Sequence, residues 1–71
     1  MKLFFIACHD QNGDSADAFV IADSRLQAVG IWSQSDLALS ASEGDALVFE
    51  VPTSIGGVPR MLGWHTEIKE V

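Results

Sequence analysis

The sequence predicts an α+β domain in which one helix packs on one face of a four-stranded antiparallel sheet, in the order strand, strand, helix, strand, strand. Four segments show either the continuous apolar run or the apolar–polar alternation that is typical of β-strands. Between the second and the third of them, the apolar residues recur at helical spacing instead. With 71 residues and no linker-like segment, the chain has room for a single domain covering residues 1–71.

The first two strands are predicted from apolar segments on either side of a polar loop. Residues 3–8 form an unbroken apolar run, which is typical of a strand covered on both faces, so we expect a central strand. The dipeptide Asn12-Gly13 is a strong turn signal within the loop that follows. Residues 17–22 form the second predicted strand.

The helix is predicted to begin at Ser24. Ser24 and Gln27 match a capping box, in which a hydroxyl and an amide side chain bind free backbone N–H groups of the first turn. Leu26, Val29 and Trp32 then recur at three-residue spacing. This apolar stripe should pack on the sheet.

The C-terminal half is predicted to hold two further strands. Residues 33–45 are rich in serine and are expected to form a loop with one helical turn near its start. Residues 46–51 alternate between two faces and form the third predicted strand, which Pro52 ends. After a loop that contains glycine, alternation resumes over residues 60–71, the fourth predicted strand, with Trp64 on its inward face.

The sheet face away from the helix is predicted to be more apolar than a face in contact with water. It would carry Ala18, Val20, Val48, Met61 and half of the first strand. A second molecule is therefore expected to cover it, either a protein partner or another copy of the chain. Binding to a protein partner and to another copy of the chain can occur together, and a homodimer is expected.

The chain is strongly acidic. Ten acidic and four basic residues give a formal charge of −6, and the isoelectric point is near 4.4. This charge repels phosphate backbones, so we expect no direct nucleic-acid binding and, instead, a protein partner with a basic surface. The predicted partner-binding residues combine an acidic loop with the apolar face: Asp10, Asp14, Asp17, Val20, Val48 and Met61.

The sequence contains no recognisable signal for catalysis or metal binding. A calcium-binding loop that began at Asp10 would require glycine and glutamate where Ser15 and Ile21 stand. Cys8 and His9 are neighbours in a predicted strand, so their side chains point to opposite faces and cannot act as a pair. Cys8 is interpreted as a small core residue. We therefore expect no enzyme, no bound metal and no cofactor.

These features favour a non-enzymatic protein that binds another protein. Two alternatives to this interpretation stay open. A small-molecule binder or minimal enzyme would form its pocket at a dimer interface, and strand alternation could bring His65, Glu67 and Glu50 to one outward face of the sheet. The other alternative is a structural subunit of a larger assembly.

The N-terminal segment favours a cytoplasmic protein. Its apolar run ends at His9 and Asp10, which makes it too short for a secretory signal or a membrane span. The one cysteine of the chain, Cys8, cannot form an internal disulfide, which fits a reducing compartment. A cytoplasmic location without membrane attachment is therefore expected.

The step from the second strand into the helix has a characteristic string, AFVIADS at residues 18–24, followed by Ala28 and Trp32. It resembles a pattern in small phage and mobile-element proteins, where a strand ending in Ala-Asp-Ser or Ala-Glu-Ser leads into a capped helix. Some anti-CRISPR proteins are similar in size, acidity and this step. The resemblance covers residues 1–33 and assigns no functional residues. It implies a phage or mobile-element inhibitor of a host nucleic-acid-binding protein.

Overall fold

A computed structural model describes residues 1–9, 12–36, 46–64 and 66–71. It contains one sheet, in the strand order β2-β1-β3-β4, and every pair of neighbouring strands is antiparallel. The α+β class, the four-stranded antiparallel sheet with one helix, and the interior position of the first strand are confirmed. The elements are β1 (Lys2–Ala7), β2 (Ala18–Ala22), α1 (Arg25–Ser33), β3 (Leu47–Val51) and β4 (Lys69–Glu70).

The register of the sheet divides its residues between two faces. Phe5 of β1 lies directly opposite Phe19 of β2 on one side and Phe49 of β3 on the other. Because opposite residues in an antiparallel pair point to the same face, the odd-numbered residues of these three strands share one face. We call it the open face; its members are Leu3, Phe5, Ala7, Phe19, Ile21, Leu47, Phe49 and Val51.

The hydrophobic core lies between the other face of the sheet and α1. Ala28 is fully buried on the helix, and its small side chain allows the helix to approach the strands closely. Val29 and Trp32 of the predicted stripe are partly buried against this cluster, together with Ala46, whereas Leu26, predicted on the same stripe, is 81% exposed. The buried cluster consists of Phe4, Ile6, Val20, Ala22, Ala28 and Val48.

The predicted assignment of faces was wrong for Val20 and Val48. Both side chains are buried beneath the helix, and Ala18 lies on the same face because it stands opposite Ile6. Alternation along a strand determines which residues share a face, but not which of the two faces the helix covers. In this fold Val20 and Val48 belong to the core.

The fourth strand is much shorter than predicted. Among the described residues, β4 pairs with β3 over Lys69–Glu70, and the Val71 N–H donates to the Val48 carbonyl at 2.8 Å. Before β4 the chain turns at Gly63, whose carbonyl accepts backbone N–H groups from Glu67 at 3.1 Å and from Thr66 and Ile68 at 3.4 Å. These local hydrogen bonds form where the sequence predicts an extended strand. Met61, predicted to lie on a strand, is an exposed loop residue instead.

The start of the helix follows the prediction closely. The Ser24 hydroxyl accepts the backbone N–H of Gln27 at 3.2 Å and caps the first turn. The Gln27 side chain accepts the N–H of Asp23 at 2.7 Å, one residue before the expected partner.

Most of the predicted loop over residues 33–45 lies outside the described residues, from 37 onward. Within the part that is described, no helix is long and apolar enough to cross a membrane.

Candidate interaction surface

An aromatic row crosses the open face from one strand to the next. The ring centroids of Phe5 and Phe19 are 5.0 Å apart, and those of Phe5 and Phe49 are 6.3 Å apart. Both spacings are typical of favourable aromatic pairs. The row follows from the register, which sets the three phenylalanines side by side on β2, β1 and β3.

Trp64 extends this row and covers part of it. Its ring centroid lies 4.9 Å from that of Phe49 and 5.9 Å from that of Phe5. Phe5 and Phe49 are half-buried, whereas Phe19 and Ile21 remain 68% and 64% exposed. The indole itself is 50% exposed, so the predicted inward position of Trp64 was wrong. The uncovered apolar area is therefore concentrated on the β2 side of the open face.

The turn that carries Trp64 is organised around one carboxylate. Glu67 accepts the backbone N–H of Gly63 at 2.8 Å and the hydroxyl of Thr66 at 2.8 Å, and it pairs with Arg60 at 3.2 Å. The Gly63 hydrogen bond first, then the Thr66 hydrogen bond, lower the pKa of Glu67. Partial burial opposes them, and the charge of Arg60 makes the smallest contribution to the lowering. A Cβ at Gly63 would lie 2.8 Å from the Thr66 hydroxyl, so the close turn favours glycine there.

The lowered pKa of Glu67 predicts that acid loosens this turn. A carboxyl group with a lowered folded-state pKa stabilises the fold above its ordinary value of 4.5, and the contribution is lost as the pH falls through the lowered value. We therefore expect the Trp64 indole to lose its packing on Phe49 below pH 4.5. Aromatic proton shifts of Trp64, followed by NMR from pH 7 to pH 2, measure this.

Two substitutions test the origin of that acid transition. Glu67→Gln keeps the shape of the side chain but cannot titrate, so it should abolish the pH dependence of the Trp64 shifts. Glu70→Gln removes an exposed carboxylate of β4 and should leave the transition in place. An unchanged transition in Glu67→Gln would show that another group controls the turn.

The acidic loop before β2 is tied to the end of β1. Asp17 accepts the backbone N–H of Cys8 at 3.1 Å through one carboxylate oxygen and the hydroxyl of Ser15 at 2.7 Å through the other. The Ala16 N–H also donates to the Cys8 carbonyl at 3.0 Å. Asp17 is exposed, yet its carboxylate has a structural role in holding the loop. Asp14 is exposed too, and Asp10 lies outside the described residues.

Cys8 is a core residue, as predicted. Its side chain is buried, and the thiol donates to the Ala16 carbonyl at 3.0 Å. Burial, and to a smaller extent the charge of Asp17, raise the pKa of the Cys8 thiol. The thiol is therefore held in its protonated, unreactive form. His9, its neighbour in sequence, is exposed.

Glu50 and Glu67, two of the residues considered for a pocket at a dimer interface, each have a partner within the fold. Across residues 1–9, 12–36, 46–64 and 66–71, no group of three or more His, Cys, Asp or Glu side chains could hold a metal ion. Glu50 pairs with Lys2 at 3.3 Å, and Glu67 is committed to the turn at Gly63. His65 lies outside the described residues. The two described members of the proposed trio thus have separate structural partners.

The Gly56-Gly57 loop forms an open cavity of about 380 Å³ between Pro52 and Leu62. Gly57 has a φ of 103°, which only glycine adopts readily, so the loop requires glycine at this position. Arg60 is the charged residue of the cavity lining, and its guanidinium pairs with Glu67. The cavity therefore offers no uncommitted charge with which to bind an anion.

Comparisons with protein-family models, with curated proteins and with solved structures found no match to this chain.

The apolar surface of the open face differs from the predicted one in its residues. Phe19 and Ile21 are its most exposed strand residues, and Phe5, Phe49 and Trp64 complete it. Sequence reasoning missed this row, although each of the three strands contains phenylalanine, two in β1 and one each in β2 and β3. Only the pairing of the strands shows that these rings meet.

Proposed function

We propose that this chain is a non-enzymatic protein-interaction module that binds a protein partner through its open face. The observation that carries the proposal is the exposure of Phe19 and Ile21 beside a continuous aromatic row. Aromatic side chains dominate the energetics of protein interfaces because they bury a large area with little loss of conformational freedom. A contiguous exposed group of this kind is typical of a binding site.

The partner has an apolar protrusion with basic residues around it. Glu70 stands opposite Phe49, so its carboxylate lies at the rim of the open face. Lys69, its neighbour, stands opposite Glu50 on the other face, and Arg60 is neutralised by Glu67. The negative charge of Glu70 at the rim has the same sign as the net charge of −6, and both favour association with a basic surface.

Within this proposal, the partner is a nucleic-acid-binding protein, and the chain acts as its inhibitor. An acidic protein that covers a basic surface prevents nucleic acid from using it. The resemblance of residues 1–33 to phage and mobile-element proteins supports the same role. A cytoplasmic location fits as well, because the cysteine of the chain is a free, buried thiol.

Affinity capture from a cell lysate, followed by titration of the purified partner, tests the proposal. The captured protein should be basic, and its affinity should fall as the salt concentration rises. Trp64→Ala removes a half-exposed ring of the row and should weaken binding at least about tenfold, as expected for an interface hot spot. Glu70→Lys should also weaken binding, through charge reversal at the rim.

Leu26→Ala is the matched control, because Leu26 is an exposed apolar residue on the helix and not on the open face. It should leave the affinity unchanged. The proposal is wrong if no basic protein is captured at low or physiological salt, or if the captured protein binds Trp64→Ala and Glu70→Lys as tightly as the unmodified chain.

A further inference from the structure

The outer edge of β2 offers an unprotected site for strand addition. Among the residues that the structure describes, β2 pairs with β1 and with no other strand, which leaves the backbone N–H and C=O groups along its other edge unpaired by a strand. Proteins usually protect such an edge with lysine, proline or an inward-pointing charge. The segment Ala18–Ala22 contains none of these.

A groove of about 440 Å³ runs along this edge, between β2 and α1. Val20 and Ile21 line it from the strand, and Ile31 and Trp32 line it from the helix. The indole Nε1 of Trp32 is buried and has no hydrogen-bond acceptor within the described part of the chain. An added strand would place apolar side chains against the groove.

We propose that a second copy of this chain occupies the edge, by antiparallel pairing of β2 with β2 around a two-fold axis. An axis perpendicular to the sheet keeps both open faces on the same side. Odd-numbered residues of one copy must therefore stand opposite odd-numbered residues of the other, and even-numbered opposite even-numbered. Pairing centred on Val20 would set Asp17 against Asp23 of the second copy, which is unfavourable because like charges repel. Pairing centred on Phe19 sets Asp17 against Ile21 of the second copy and avoids this repulsion.

The Phe19-centred register also makes the two copies complementary. Phe19 meets Phe19 of the second copy, so the row from Phe49 through Phe5 to Phe19 continues into the same row of the other sheet. On the helix face, Val20 of the second copy lies opposite Ala18, next to the groove. Two chains of charge −6 repel one another in general, but this strand is uncharged from Ala18 to Ala22 and lets them meet.

The dimer goes beyond the proposed function and does not depend on it. Strand pairing uses the edge of β2, whereas Trp64 and Glu70 lie toward β3 and β4 at the other end of the row. The pairing leaves both open faces on one side of a continuous sheet. Trp64→Ala should therefore weaken partner binding and leave the dimer intact, so either proposal can fail without the other.

Cysteine cross-linking in the full chain tests both the dimer and its register. Directly opposite residues have Cα atoms about 4.5–5.5 Å apart, which is within the span of a disulfide. Phe19→Cys should thus form a covalent dimer on mild oxidation, seen by non-reducing electrophoresis. Ile21→Cys is the matched control, because at this register its two copies are offset by about 13 Å along the strands. Cys8 is buried, and the unmodified chain should not cross-link.

Sedimentation equilibrium provides the second readout. The unmodified chain should have twice the 7.6 kDa mass of one copy. Phe19→Lys and Phe19→Glu should each be monomeric, since each sets like charges opposite one another, and an equimolar mixture of the two should form a mixed dimer. A monomer at all concentrations up to the millimolar range would overturn the proposal. Preferential cross-linking of Ile21→Cys over Phe19→Cys would overturn it as well.

Discussion

Phe4→Ala is expected to remove most of the stability of the fold at 25 °C. Phe4 is fully buried at the centre of the core, in the interior strand of the sheet. Truncation of a buried phenylalanine to alanine costs about 3–5 kcal/mol, because the lost contacts leave a cavity. A domain of this length has a total stability of about 5 kcal/mol or slightly more, so most of the free energy of unfolding would be lost. Urea titration followed by circular dichroism measures the change in the unfolding midpoint.

Phe19→Ala is the matched control for this measurement, because it removes the same side chain from the open face. Phe19 is mostly exposed and contacts Phe5, so its loss should cost only about 0.5–1.5 kcal/mol. The dimer proposed above adds a concentration dependence, and both variants should be compared at one low protein concentration. Equal losses of stability in the two variants would contradict the location of the core.

The second large effect is expected from Val48→Glu. Val48 is 4% exposed beneath the helix, and its neighbour Leu47 is 47% exposed on the open face. An unpaired carboxylate in the core costs several kcal/mol. Val48→Glu should therefore lower the free energy of unfolding at neutral pH by about 3 kcal/mol or more, which abolishes the cooperative transition. Leu47→Glu should change the free energy of unfolding by no more than about 0.5 kcal/mol.

The pH dependence gives Val48→Glu a distinct signature. Burial raises the pKa of a carboxyl group, so protonation relieves part of the cost and the variant should recover structure as the pH falls toward 4. Circular dichroism between pH 7 and pH 4 measures this recovery. If Leu47→Glu were the unfolded variant and Val48→Glu the stable one, the helix would cover the face opposite to the one described.

The elements that could be predicted from the sequence are those with local causes. The capping hydroxyl of Ser24 binds a backbone N–H three residues away, so the start of α1 is encoded within one turn. The apolar run of β1 and the alternation of β3 reflect burial along a single strand, and both strands begin within one residue of the prediction. Strand existence and helix capping therefore require no knowledge of distant contacts.

The features that could not be predicted depend on contacts between distant segments. Alternation gives the same pattern whichever face the helix covers, which is why Val20 and Val48 were assigned to the wrong side. Residues 60–71 alternate like a strand, but Glu67 binds the Gly63 N–H and turns the chain instead. The aromatic row exists only because the register sets Phe5 between Phe19 and Phe49. No single segment contains that information.

The two tryptophans of the chain lie on opposite sides of the sheet. Trp32 packs against the core under the helix, and Trp64 lies against Phe49 on the open face. Their emission spectra therefore report on different events within one molecule: Trp32 senses unfolding of the core, and Trp64 senses anything that docks beside it. With Trp32→Phe or Trp64→Phe to isolate each signal, intrinsic fluorescence separates binding from folding without an attached dye.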